Sequence, residues 1–186
     1  RDTGSVKVNK LLDNDANGSY ETSNPVNFTW SLDNVGTNNM GTTVSNVPTT
    51  LPTLEHKVNE NMPVGYEFKG WFTTSSTQYS CSNPEGITLP VTVNVVKNQT
   101  AEITLCNARE SGSVKVNKLL DGDGNGTFET ANPAQFNWSL DNSGSNIMGS
   151  TVTKVTTGTH NINENSAANY QLVGWYRNGG EGSCAN

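Results

Sequence analysis

The chain has little charge of either sign. Asp, Glu, Lys and Arg make up 15% of its 186 residues, and 11 basic side chains face 17 acidic ones for a formal net charge of −6. The basic residues are scattered, so there is no stripe to neutralise phosphates, the interaction that supplies most non-specific nucleic-acid affinity. Nucleic acid is therefore not an expected partner. Hydrophobic residues are also scarce, at 32%. No run approaches the roughly 18 consecutive apolar residues of a spanning helix, so no membrane span is expected in this segment. Cysteine is limited to three residues with no C-x-x-C, and histidine to two, His56 and His160. That leaves no zinc-type cluster. It also leaves no set of base, nucleophile and orienting group, so the chain is read as a non-enzyme.

What fills the chain instead is uncharged polarity. Asn, Thr and Ser account for about a third of it, against typical compositions led by Leu, Ala and Glu. Disordered chains are usually rich in charge, which this one is not.

Self-comparison is the most informative operation. Gly4–Asp13, GSVKVNKLLD, recurs identically at Gly112–Asp121. NPVNFTWSLDN (Asn24–Asn34) returns as NPAQFNWSLDN (Asn132–Asn142), HKVNEN (His56–Asn61) as HNINEN (His160–Asn165), and YEFKGWF as YQLVGWY. Two repeats follow, residues 1–108 and 109–186. Cys81 aligns with Cys184, and the second repeat has no counterpart of the segment from Pro84 to Ala108. It is expected to lack its last two strands, and the matching Arg1 and Arg109 suggest a longer tandem array.

Within a repeat the apolar period is two, as in Val6/Val8, Phe28/Trp30/Leu32, Tyr66/Phe68, Val91/Val93/Val95 and Ile103/Leu105, with Gly, Pro, Asn and Ser between the runs. This predicts six or seven short antiparallel strands per repeat, hence an all-β fold of tandem antiparallel β-sandwiches. Lys97–Thr100 is expected to join the last two strands as a hairpin. His56 and His160 are expected to be half-buried strand residues, and Trp30, Trp71, Trp138 and Trp175 to pack in the core.

The loop after the first strand reads Asp13-Asn-Asp15-Ala-Asn17-Gly18-Ser19-Tyr-Glu21, and its copy Asp121-Gly-Asp123-Gly-Asn125-Gly126-Thr127-Phe-Glu129. Oxygen side chains at loop positions 1, 3, 5 and 9, a Gly at 6 and the carbonyl at 7 suit a hard cation that needs several converging oxygens. Calcium is the expected ion, weakly held because position 12, usually a bidentate Glu, is Asn24 or Asn132. A plain Asx-rich turn is the competing reading.

Cys81 precedes the final hairpin and Cys106 ends its last strand, so a disulfide between them is one reading and three free thiols the other. Cys184 is the odd cysteine. Sequons at Asn17, Asn27, Asn98, Asn125 and Asn137 make these the glycosylation candidates.

The GSVKVNK opening, the NPVNFTWSLDN strand and Glu60 followed by Pro63, Gly65 and Tyr66 resemble prealbumin-like (Ig-like) domains of prokaryotic surface proteins, the collagen-adhesin B-type modules. The second repeat keeps Glu164 and Tyr170 but has Ala167 and Asn169 at the Pro and Gly positions. The acidic loop followed by Pro25 or Pro133 is similar to the calcium-binding B repeats of serine-aspartate-repeat proteins. The resemblance implies a cell-surface or extracellular location and a structural role in a stalk, fibre or adhesin. Its partners would be neighbouring repeats or subunits, including by strand donation, together with glycans. A carbohydrate- or ligand-binding adhesin domain is the alternative, favoured by exposed aromatics and disfavoured by buried ones. Some such modules carry a Lys–Asn isopeptide bond promoted by a buried Glu, and the matching positions are Lys7 or Lys10, Asn107 and Glu60. Lys7 alternates with Val6 and Val8 and is expected to face solvent, and a Cys106 disulfide would already tie the last strand down.

Overall fold

A computed structural model describes residues 2–49, 55–165, 167–177 and 184; Arg1 lies outside them. The described chain is all-β, and no helix in it is long and apolar enough to cross a membrane. Two compact units divide it, Arg1–Ser111 and Gly112–Asn186.

Unit 1 holds nine strands: β1 (Thr3–Asp13), β2 (Thr22–Ser23), β3 (Thr29–Leu32), β4 (Val35–Asn39), β5 (Thr43–Pro48), β6 (Glu55–Asn61), β7 (Tyr66–Thr73), β8 (Val91–Asn94) and β9 (Thr100–Arg109). One sheet runs β2-β1-β9-β7 with β5 also paired to β1, and the other runs β4-β3-β6-β8. Val6, Val8 and Leu12 of β1 and Ile103 and Leu105 of β9 share one buried cluster with Trp30 of β3, Val58 of β6 and Val91 and Val93 of β8. The two sheets thus pack on a common apolar layer, which fits a β-sandwich.

The pairing departs from the expectation in two ways. β1 and β9 run parallel, from Ser5 opposite Thr100 to Asp13 opposite Ala108. The segment Lys97–Thr100 does not close a hairpin, because β8 belongs to one sheet and β9 to the other. Alternation reports which face a residue occupies and is silent about its neighbouring strand, so neither point could be read from period alone. The strand count in unit 1 is also higher than expected, because β2 and the β3–β4 hairpin are separate short elements. That hairpin turns on Asp33 and Asn34, with φ of 52° and 62°. Two consecutive positive φ values make the tight turn whose twist suits antiparallel strands, and Asp and Asn tolerate it.

Unit 2 repeats the plan with β10 (Ser111–Lys115), β11 (Leu119–Leu120), β12 (Thr130–Ala131), β13 (Asn137–Leu140), β14 (Ser143–Ile147), β15 (Thr151–Thr156) and β16 (Ile162–Asn165). Its register copies unit 1: Trp138 lies opposite Glu164 as Trp30 lies opposite Glu60. A smaller core gathers Leu120, Phe136, Trp138 and Met148. Among the described residues there is no counterpart of β8 or β9, and Tyr170–Arg177, which aligns with β7, forms no strand.

The aromatics follow this difference. Trp30 and Trp138 are fully buried and Trp71 packs against the unit 1 core. Trp175, expected in a core, is instead exposed with Leu172 and Val173. Its unit 1 equivalent, Trp71, sits on β7 opposite Leu105 of β9, a neighbour without a counterpart beside Trp175 among the described residues. The two histidines differ: His56 lies on β6 but is fully buried rather than half-buried, at 2% exposed, whereas His160 is half-buried as expected but precedes β16 instead of lying on a strand.

Candidate functional site

β1 buries every second residue, and the row Val6, Val8, Lys10, Leu12 faces the opposite sheet. Lys10 therefore enters the core by the parity that puts Val6 and Val8 there, and it is fully buried. Lys7 has the other parity. Its Nζ lies 3.0 Å from Glu102 on the outer face of the sheet. Of the two candidate lysines, the fold brings Lys10 to the other candidates.

Two more strands complete the centre. On β9, Asn107 continues the inward row of Ile103 and Leu105 and is fully buried. Facing them from the other sheet, Glu60 continues the inward row of His56 and Val58, its side chain inaccessible to solvent. Lys10 Nζ donates to Glu60 Oε1 and to Asn107 Oδ1. The Asn107 amide nitrogen points 2.6 Å from Met62 Sδ, and the Phe28 ring lies 4.9 Å from Lys10 Nζ, edge-on to Tyr66. Glu60 Oε2 is buried and, among the described residues, accepts no hydrogen bond.

Burying an ammonium and a carboxylate is costly even when they pair. Loss of hydration pushes the Lys10 amine down to about 8, against the opposing pull of the Glu60 charge and hydrogen bond. An amine depressed this far is partly unprotonated near neutral pH and so is a nucleophile. Its contact is a carboxamide, and the adjacent carboxyl can carry a proton either way.

Position 12 of the acidic loop, where a cation ligand would be expected, has another task. Asn24 Oδ1 accepts from Lys10 N at 2.7 Å, and Asn24 N donates to Lys10 O. Asn24 thus holds the backbone of the buried lysine, with its side chain against Gly41, where a Cβ would fall 2.8 Å from Asn24 Nδ2. Asn132 does the same for Lys118. Nothing in the spacing of the loop distinguishes this use from ligation.

Among the described residues, unit 2 carries the pair but not the acceptor. Lys118 Nζ sits 3.0 Å from both Glu164 oxygens and 4.9 Å from the Phe136 ring. The side chains are 12% and 17% exposed, against none in unit 1, where β9 covers them. An open cleft beside Lys118 is lined by Leu119, Leu120, Phe128, Tyr170 and Leu172.

In each acidic loop a carboxylate oxygen of Asp13, Asp15 and Glu21, or of Asp121, Asp123 and Glu129, lies within 4.8 Å of the others, close enough to hold a metal ion. Asp13 also accepts from Asn17 N and Gly18 N, and Asn17 Oδ1 accepts from Ser19 N. Asn125 and Thr127 repeat this arrangement around Asp121. The loop is therefore folded by its own backbone, with three carboxylates left converging. Nearby backbone N–H groups, that of Gly126 foremost, hold the Asp121 carboxyl below the usual carboxylate range. The converging donors in both loops are carboxylate oxygens.

Cys106, one residue before Asn107, faces the opposite side of β9. There it is bonded to Cys81 in a small second cluster with Phe72, Leu11, Tyr20 and Tyr79. The disulfide and the Lys10 contact thus occupy two faces of one strand and do not compete. Cys184 is a free cysteine. Of the sequons, Asn17, Asn27, Asn98 and Asn125 are exposed, with Asn98 in a turn at φ 59°, while Asn137 lies partly buried in β13. In unit 2, Asn169 takes φ 70° where unit 1 has Gly65 at 88°, so the turn survives the substitution.

No family model, curated protein or solved structure matches the chain.

Proposed function

We propose that the chain is a non-enzymatic structural module of an extracellular stalk, fibre or surface adhesin, built from tandem prealbumin-like sandwiches, whose first unit closes a covalent bond between Lys10 and Asn107. The observation that carries this reading is the burial of Lys10, Glu60 and Asn107 in mutual contact on three strands. Lys10 passes a proton to Glu60, and its neutral amine attacks the Asn107 side-chain carbonyl carbon. Glu60 then returns a proton to the departing nitrogen. A C–N bond forms to Lys10, the original C–N bond of the carboxamide breaks, and ammonia leaves. No outside reactant is needed, and the event happens once per chain rather than by turnover.

The bond would join β1 to β9, the two central strands of one sheet, close to both ends of unit 1. A pull along the chain would then pass through the bond instead of peeling β1 from β9. Burial of Trp30 and Trp138 favours this reading over a sugar-stacking adhesin surface, and exposed Trp175 is the observation on the other side. The Cys81–Cys106 bond suits an oxidising, extracellular compartment, where exposed Asn98 is the glycan site of choice. Single-molecule stretching tests the mechanical role. The residues between Lys10 and Asn107 should add no length at forces that unfold ordinary sandwiches, whereas full extension of unit 1 would refute the role.

Calcium in the two acidic loops is the second stiffening element. For a site of roughly 0.1 to 1 mM affinity, 1 mM calcium should stabilise each unit by about 0.4 to 1.4 kcal/mol. Thermal unfolding indifferent to both calcium and chelator would remove this part. The partners are neighbouring repeats or subunits of the same protein. For unit 2, the fitting partner is an extended strand with the Ile-x-Leu-x-Asn pattern of Ile103–Asn107, laid beside Lys118. A structure of the assembled protein with that cleft bare would exclude strand donation.

A further inference from the structure

His56 lies at the start of β6 with its ring enclosed between two acceptors. Nδ1 is 2.7 Å from Asp33 Oδ2 and Nε2 is 2.9 Å from the Pro48 carbonyl oxygen. In unit 2, His160 repeats the arrangement with Asp141 Oδ2 at 2.7 Å and the Thr156 carbonyl at 2.6 Å. The remaining aspartate oxygen is engaged in both: Asp33 Oδ1 accepts from Lys57 N and Asp141 Oδ1 from Asn161 N, each at 2.8 Å. A backbone carbonyl cannot donate. A neutral imidazole has one N–H and one lone pair, so it satisfies one acceptor and sets its lone pair against the other. Only the imidazolium donates to both.

We infer that His56 and His160 are held as imidazolium clamps, each tying the end of one strand (β5 or β15) to the hairpin turn of the opposite sheet, and that both clamps release as pH rises. Each clamp joins three elements. The turn aspartate belongs to the β3–β4 or β13–β14 hairpin, the carbonyl to the end of β5 or β15, and the ring to β6 or to the segment two residues before β16. The two histidines sit in units that differ in completeness, yet the geometry is the same, so it does not depend on β8 or β9.

The charged groups around the rings are few. Asp33 is the one that bonds His56; on the same strand Lys57 sends its Nζ to Thr92 of β8, Glu55 is exposed, and Val93 is the residue opposite on β8. At His160 the bonded charge is Asp141, and Lys154 lies on β15 near Thr156. Burial acts to lower the His56 ring, and its bonds to Asp33 and Pro48 outweigh that, so it stands above the ordinary histidine value. His160 is raised first by its Asp141 bond and then by the Thr156 carbonyl. The sign follows. A group whose folded value is raised contributes fully below its unfolded value, about 6.5, and loses the contribution as pH climbs through the higher folded value. The clamps are therefore closed in mildly acidic surroundings and open above neutrality.

Nitrogen-15 NMR of histidine-labelled full chain reads the ring state directly. At pH 6.5 both rings should be predominantly doubly protonated, and each should titrate above that pH. A lone-pair-bearing ring nitrogen in half or more of the molecules at pH 6.5, in either residue, overturns the proposal. Asp33→Asn should move the His56 titration down without moving that of His160, and Asp141→Asn should do the converse. An aspartate with only a packing role would move neither. Amide exchange at Lys57 and Asn161, corrected for intrinsic base catalysis, should accelerate several-fold through the same pH interval; a flat corrected rate counts against release.

Discussion

Replacing Glu60 by Gln should leave the Lys10–Asn107 bond unmade and lower the unfolding temperature of unit 1 by about 20 °C or more. The bond spans 97 residues. Closing a loop of that length removes on the order of 4.7 kcal/mol of chain entropy from the unfolded state, and each kcal/mol is worth about 4 to 8 °C in a domain this size. Gln has nearly the shape of Glu and can still accept from Lys10 Nζ, but it cannot take and return the proton. The variant also strands a buried ammonium, which adds its own cost. Lys10→Met separates the two effects, since it removes both the bond and the charge. It should lose less than Glu60→Gln while remaining well below the parent. If Lys10→Met matches the parent within about 1 kcal/mol, no covalent closure exists there, because losing that closure alone should cost on the order of 4.7 kcal/mol.

Opening the disulfide with Cys81→Ala and Cys106→Ala together should cost unit 1 about 3.5 kcal/mol. The bond closes a separation of 25 residues, nested within the larger loop, so its effect persists whether or not Lys10 is linked. Calorimetry of parent and double variant gives the difference. A loss under about 1 kcal/mol would mean that packing of Phe72, Tyr20 and Tyr79, rather than loop closure, secures that face of β9.

The sequence made the faces of the sheets legible and left their neighbours obscure. Val91, Val93 and Val95 are all buried, as their alternation requires, and the recurrence of NPVNFTWSLDN corresponds to two hairpins of one register. The parity that carries Val6 and Val8 inward reaches Lys10 as well, but a lysine on an apolar row ordinarily reads as the residue that ends the buried stretch. What makes its burial tolerable is Glu60 and Asn107, from strands 50 and 97 residues away. Local pattern cannot bring such residues together, and the parallel β1–β9 pairing that does so is non-local. Asn24 shows the converse limit: the loop reads as a set of ligand positions, yet its last member serves the lysine backbone. The two histidines looked like ordinary strand residues because a hydrogen-bond acceptor on each side of a ring is a property of folded geometry alone.

The most direct test of the central claim is the intact mass of the native protein, followed by digestion. Once the hydrogens lost to the Cys81–Cys106 bond and the mass of any glycan are allowed for, the chain should weigh one ammonia less than its sequence, and a branched peptide should join the segments holding Lys10 and Asn107. Glu60→Gln should restore the full mass. A native chain of full sequence mass, yielding separate unmodified peptides for Lys10 and Asn107, would contradict the account.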